Sequence, residues 1–95
     1  MRNNKNFLTN EEKISLEESG YSKGDIQQIL KAINKTRYAL VTDDNRKLTI
    51  SESEAIERLG REEWVKGIAR STFYIDTIRF GMSGERIAMH SKVYA

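Results

Sequence analysis

Apolar residues recur along this chain in two periods, and the change from one to the other divides it. Ile26, Ile29, Leu30 and Ile33 fall at i, i+3, i+4 and i+7, which places them on one stripe of a helix. Ser22 followed by Asp25 supplies a capping box ahead of that stripe. Thr9 with Glu12 repeats the signature and opens a shorter helix that Gly20 ends, so the two elements read as a helical hairpin turning at Gly20 and Tyr21. Ile14 and Leu16 lie two apart, about 200° around a helix, and cannot share one face. Either one of them is exposed or the element is short and wrapped; the wrapped form is the one we expect. Residues 1–8 read as a polar, flexible arm.

The period then shortens to two. Tyr38 and Leu40 alternate with Ala39 and Val41, Leu48 and Ile50 with Thr49, and the turn Asp43-Asp44-Asn45-Arg46 between them predicts a β-hairpin. Ser51 with Glu54 is a third capping box, Ala55, Ile56 and Leu59 form a narrow helical stripe, and Gly60 ends it. From Arg61 onward Trp64, Ile68, Ser71, Ile75 and Ile78 keep helical spacing, widened by Val65 and Thr72, and predict a long helix to about residue 79. The competing reading takes STFYIDTIRF, rich in β-branched and aromatic residues, as a strand. Past the turn-prone GMSGE, RIAMHSKVY reads as a last strand.

The pattern as a whole predicts one α+β domain over residues 1–95. It comprises a helical hairpin, a β-hairpin, two further helices and a C-terminal strand that completes a small antiparallel sheet packed on helices. The expected core is Ile26, Ile29, Leu30, Ile33, Leu40, Leu48, Ile50, Ile56, Leu59, Trp64, Ile68 and Ile75.

Composition narrows the function classes. A chain of 95 residues buries only about 60 to 65% of the surface its unfolded form exposes, so a deep private active-site cavity is not expected. Cysteine is absent, which removes disulfides, thiolate catalysis and cysteine-based zinc sites, and suits a reducing cytoplasm. There is no apolar signal-like region and no run of 18 apolar residues, so neither secretion nor membrane insertion is expected. Sixteen Lys and Arg against 14 Asp and Glu leave a net charge of +2, too small an excess to predict nucleic-acid binding by itself.

Candidate chemistry is sparse. Asp43, Asn45, Ser51 and Glu54 occupy four positions of a calcium-loop frame, but Lys47 and Leu48 stand where that loop needs a ligand and a glycine. His90 is the only histidine and has no orienting partner beside it in sequence. The carboxylate pairs Glu11-Glu12, Glu17-Glu18 and Glu62-Glu63 diverge by about 100° on a helix and suit first-turn solvation. Gly60 and Gly67 lack the companions of a phosphate loop; Gly67 with Ser71 makes a small patch suited to close backbone approach. The two helices around Gly60 invite a helix-turn-helix reading, yet Glu62 and Glu63 would put negative charge where a recognition helix meets DNA. No catalytic residue, metal ligand or cofactor is therefore expected. The candidate binding surface is a basic stripe of Lys66, Arg70, Arg79 and Arg86 with Tyr74 as a stacking residue, set against its reading as a solvated helix face.

The run ISESEAIERLGREEWVKGIARSTF, with the hairpin before it, resembles a pattern of small uncharacterised proteins carried by phages and conjugative elements of Gram-positive bacteria. The likeness spans about 40 of the 95 residues. It implies no activity, but it implies a context in which small proteins bind host nucleic-acid machinery, as anti-CRISPR and anti-restriction proteins do, or bind DNA themselves. The expectation is a non-catalytic, cytoplasmic binding protein that engages a host protein and inhibits a nucleic-acid-targeting defence system such as a CRISPR nuclease. The alternative is a DNA- or RNA-binding accessory or regulatory protein.

Overall fold

The computed structural model describes residues 8–74 and 76–91. Among them lie four helices and four strands: α1 (Asn10–Glu18), α2 (Lys23–Ile33), β1 (Arg37–Val41), β2 (Lys47–Ile50), α3 (Glu52–Leu59), α4 (Arg61–Phe73), β3 (Thr77–Phe80) and β4 (Arg86–His90). The α+β expectation holds.

The caps form where the sequence puts them. Thr9 and Ser22 accept from the backbone of Glu12 and Asp25, whose carboxylates return to the cap N–H groups. The third box is only half made: Ser51 accepts from the Glu54 N–H, but the Glu54 carboxylate turns to Arg58 one helical turn on, 2.7 Å away. Helix α1 closes in a Schellman motif, with Tyr21 N–H on the Leu16 carbonyl, Gly20 N–H on that of Glu17, and Gly20 at φ 106°. Leu16 is buried and Ile14 exposed, so the element is a regular helix with one outward isoleucine rather than a wrapped one. Leu8, the last residue of the expected arm, is buried, and residues 1–7 of that arm lie outside the described residues.

Helix α4 stops at Phe73 and not near residue 79. Thr77 to Phe80 instead form a strand against β4, in the register Thr77 with Met89 through Phe80 with Arg86. The β-branched, aromatic run has an antiparallel partner across the turn at 81–84, and ladder hydrogen bonds to that partner outweigh a helical period that burial does not support: Ile78 is exposed. The sheet is antiparallel throughout, in the order β2, β1, β4, β3.

One face of the sheet carries the core. Tyr38, Ile87 and Met89 are buried beneath α3 and α4, and α2 packs on α4 with Ile29 and Ile33 inward. Of the expected core, Ile26, Ile29, Ile33, Leu59, Trp64 and Ile68 are buried, while Leu30, Leu40, Ile50 and Ile56 pack against it half-buried. Leu48 is 52% exposed: it points to the helical side, but β2 is an edge strand that the helices do not cover. Ile75 lies outside the described residues.

Candidate functional site

The basic stripe expected from sequence is brought together only in part: Lys66, Arg70 and Tyr74 follow one exposed side of α4, and Arg79 and Arg86 lie apart from them. Most of α4 is core, with Trp64, Val65, Gly67, Ile68, Ala69, Ser71 and Thr72 buried, so it shows solvent only a narrow stripe of Glu62, Lys66, Arg70 and Phe73, too little for a recognition helix to enter a groove. Lys66 lies 3.5 Å from Glu62 and 3.9 Å from Glu63, and borders a depression of about 450 Å³ whose rim also carries Glu11 and Glu12. Arg79 points inward from β3 and pairs with the same Glu63, whose carboxyl it holds below the usual range. Arg70 stacks over the Tyr74 ring at 5.0 Å. Arg86 is on the opposite side of the sheet from Arg79, because register puts Arg79 beside Ile87 and Arg86 beside Phe80.

Gly67 also differs in its neighbour. The close approach there is not backbone but the Met89 thioether, and a Cβ on Gly67 would meet its Cε at 3.0 Å and the Arg79 Cγ at 3.3 Å. Ser71 bonds Ser91, which bonds Thr36 at 2.7 Å, a buried hydroxyl chain tying α4 to the ends of α2 and β4. The residues of the calcium frame are used elsewhere: Asn45 takes φ 66° in the hairpin turn, Ser51 caps α3, and Glu54 pairs with Arg58. Among the described residues no cluster of potential metal ligands occurs.

What folding does assemble is the outer face of the sheet. Antiparallel register places cross-strand partners on the same side, so this face can be read in rows. One row runs Lys47, Val41, Arg86, Phe80. The middle row runs Thr49, Ala39, Ala88, Ile78. The third holds Arg37 and His90, extended by Asp76, whose Oδ1 is 2.6 Å from His90 Nδ1. The middle row is small, and over Thr49, Ala39 and Ala88 lies a depression of about 420 Å³ bordered by Arg37, Lys47 and His90 and by the carboxylates of Asp76 and Glu52. Two residues along a strand span about 7 Å, so the outer rows stand about 14 Å apart as walls.

Charge on this face is one-signed at the strand positions. Arg37, Lys47 and Arg86 project from it, and among the described residues none of the three pairs with a carboxylate. The carboxylates nearby are occupied: Asp76 by His90, Asp44 by Arg46 and Thr42, and Glu52 beside Tyr38. Arg86 Nη2 donates to the Thr42 carbonyl at 2.7 Å, which fixes the guanidinium over its row. Phe80 is 65% exposed at the end of the same row.

Sequence reasoning missed this face because it depends on β3 being a strand. Once 77–80 is paired with β4, alternation alone puts Asp76 next to His90 and Phe80 next to Arg86; the available signal was the glycine-bounded turn between two β-rich runs. No protein-family model, curated protein or solved structure matches the chain. Among the described residues no helix is long and apolar enough to cross a membrane.

Proposed function

We propose that this chain is a non-catalytic binding protein whose docking surface is the outer face of the sheet. The observation that supports it is that outer face, where among the described residues Arg37, Lys47 and Arg86 pair with no carboxylate, Arg37 and Lys47 border a shallow depression, and Ile78 and Phe80 are exposed on the neighbouring strand. The pair of Asp76 and His90 orients an imidazole, but the hydroxyls of Thr36, which lines the same depression, and of Ser91, its neighbour in the chain, are spent on each other and on the Ala32 carbonyl and Ser71. Neither hydroxyl is free as a nucleophile for the imidazole to activate.

The context we favour is a protein of a mobile genetic element acting in the cytoplasm on a host complex that handles nucleic acid, such as a CRISPR nuclease. Its support is the sequence pattern around residues 50–73. Tagged wild type is compared with Arg37→Glu/Lys47→Glu and with Lys66→Glu/Arg70→Glu for what each retains from a bacterial lysate at stoichiometric level. The proposal expects the retained partner to be lost with the sheet variant and kept with the helix variant. The reverse pattern overturns it, and so does turnover of the captured substrate that disappears in His90→Ala.

A further inference from the structure

We infer that the open face binds single-stranded nucleic acid laid across the strands, with phosphates on Arg37, Lys47 and Arg86 and a base on the Phe80 ring. This rests on the reading of that face as the docking surface.

Charge is the first argument. Cations stand on opposite walls of the depression, Arg37 on one and Lys47 on the other, with Arg86 farther along the Lys47 row, while the floor of Ala39, Ala88 and Thr49 lets a chain lie close to the sheet. A polyanion satisfies both walls at once. Two carboxylates line the same depression, and each has a neighbour: Asp76 is held by His90 at 2.6 Å and Glu52 lies beside Tyr38.

The aromatic ring decides which polyanion. Phe80 follows Arg86 across the ladder and is exposed on a strand whose outer side also shows Ile78, so a phosphate contact adjoins an apolar, π-faced surface. Duplex nucleic acid presents phosphates but keeps its bases stacked inside. A single strand offers both, and base stacking on an aromatic platform beside a basic groove is how such strands are held without sequence readout. An acidic polypeptide would satisfy the cations and leave Phe80 without a partner.

The test measures binding of fluorescein-labelled dT and U oligonucleotides of about a dozen nucleotides, a duplex of the same length, and poly-L-glutamate, across a salt series. Three phosphate contacts on a single strand predict a slope of log K against log salt of about −2. Arg37→Gln/Lys47→Gln should flatten it by about 1.4. Phe80→Ala should weaken binding roughly fivefold or more with the slope unchanged. Lys66→Gln/Arg70→Gln should change neither. Retained emission of the single Trp64 certifies each variant as folded.

Affinity weaker than about 0.1 mM for both oligonucleotides overturns the inference, as does binding indifferent to Phe80→Ala. If poly-L-glutamate binds instead and is lost with Arg37→Gln/Lys47→Gln, the face remains the docking surface and only its occupant is wrong. If the oligonucleotides bind and only the helix variant weakens them, both readings fail.

Discussion

The Tyr38 hydroxyl shows how one polar atom in the core is made tolerable. Tyr38 and Trp64 are both buried, and Trp64 Nε1 donates to the Tyr38 hydroxyl at 2.9 Å, which satisfies an indole donor that has no water to turn to. Burial also pushes the phenol well above its ordinary range, so it stays neutral and available as acceptor. Tyr38→Phe keeps the ring and strands the indole N–H, and should cost about 1 to 3 kcal/mol in urea unfolding. A loss under half of that range would mean that Trp64 finds another acceptor. The pair of Glu12 and Arg61 carries a pH signature. Arg61 Nε and Nη2 donate to the two carboxylate oxygens at 2.8 and 3.1 Å, and this hydrogen bonding holds Glu12 below its ordinary value of 4.5. A depressed carboxylate stabilises the fold fully above that ordinary value and loses the contribution as pH falls through the lowered one. Glu63, depressed by Arg79, behaves in the same direction. Glu12→Gln also weakens the α1 capping box, so a loss of about 1 to 2 kcal/mol at pH 7 is expected. That loss should shrink in an acid titration below about pH 4.

At the scale of elements, what was legible followed from local rules, and what was not depended on a distant partner. Helix α2, two full caps and the break at Gly60 could be read from neighbours within a few residues, and the first hairpin from alternation on either side of one turn. Gly60 is a one-residue joint: its N–H closes α3 on the Ile56 carbonyl, and its carbonyl accepts from Trp64 to open α4. It does this at φ 87° and ψ 152°, a conformation nearly confined to glycine. Gly60→Ala should cost about 1 to 3 kcal/mol through backbone strain, since a Cβ there meets only the Met82 thioether at 3.9 to 4.0 Å. The end of α4 was not legible, because Ile75 and Ile78 satisfy a helical stripe as well as a strand, and only pairing with β4 separates the two. Leu48 was misread for a related reason. Alternation assigns its side of the sheet correctly, but whether a helix covers that side is a property of the assembled layers. Ile29 and Ile68, on the packed faces of α2 and α4, are fully buried. Either change to alanine should cost about 2 to 5 kcal/mol, and a measured loss under half a kcal/mol would contradict the packing described.

Across the whole molecule, the strand order places the last described strand in the middle. β4 lies between β1 and β3, so the sheet is two sequence-local hairpins joined by the single long-range pairing of Arg37 with His90 through Val41 with Arg86. The candidate face is a product of that junction: Arg37, Ala39 and Lys47 come from the first hairpin and Phe80, Arg86 and Ala88 from the second. Of the five residues that sequence reasoning offered as a surface, only Arg86 lies on it; the other four were grouped by helical spacing along α4 and its supposed extension. The same junction governs stability. β4 brings the fully buried Ile87 and Met89 under α3 and α4, and Ser91 just beyond it closes the hydroxyl chain to Ser71 and Thr36. A chain ending after Gly84 would leave β3 without a partner, β1 with one open edge, and the core cluster that holds Trp64 and Ile68 without Ile87 and Met89. Two strands and four helices missing that layer bury too little apolar surface for a domain of this size to offset its conformational entropy. The truncated chain should therefore show no cooperative urea transition and a solvent-like Trp64 emission maximum. A cooperative transition with native-like emission would mean that α1 to α4 form a core of their own, and that the sheet is an addition to it.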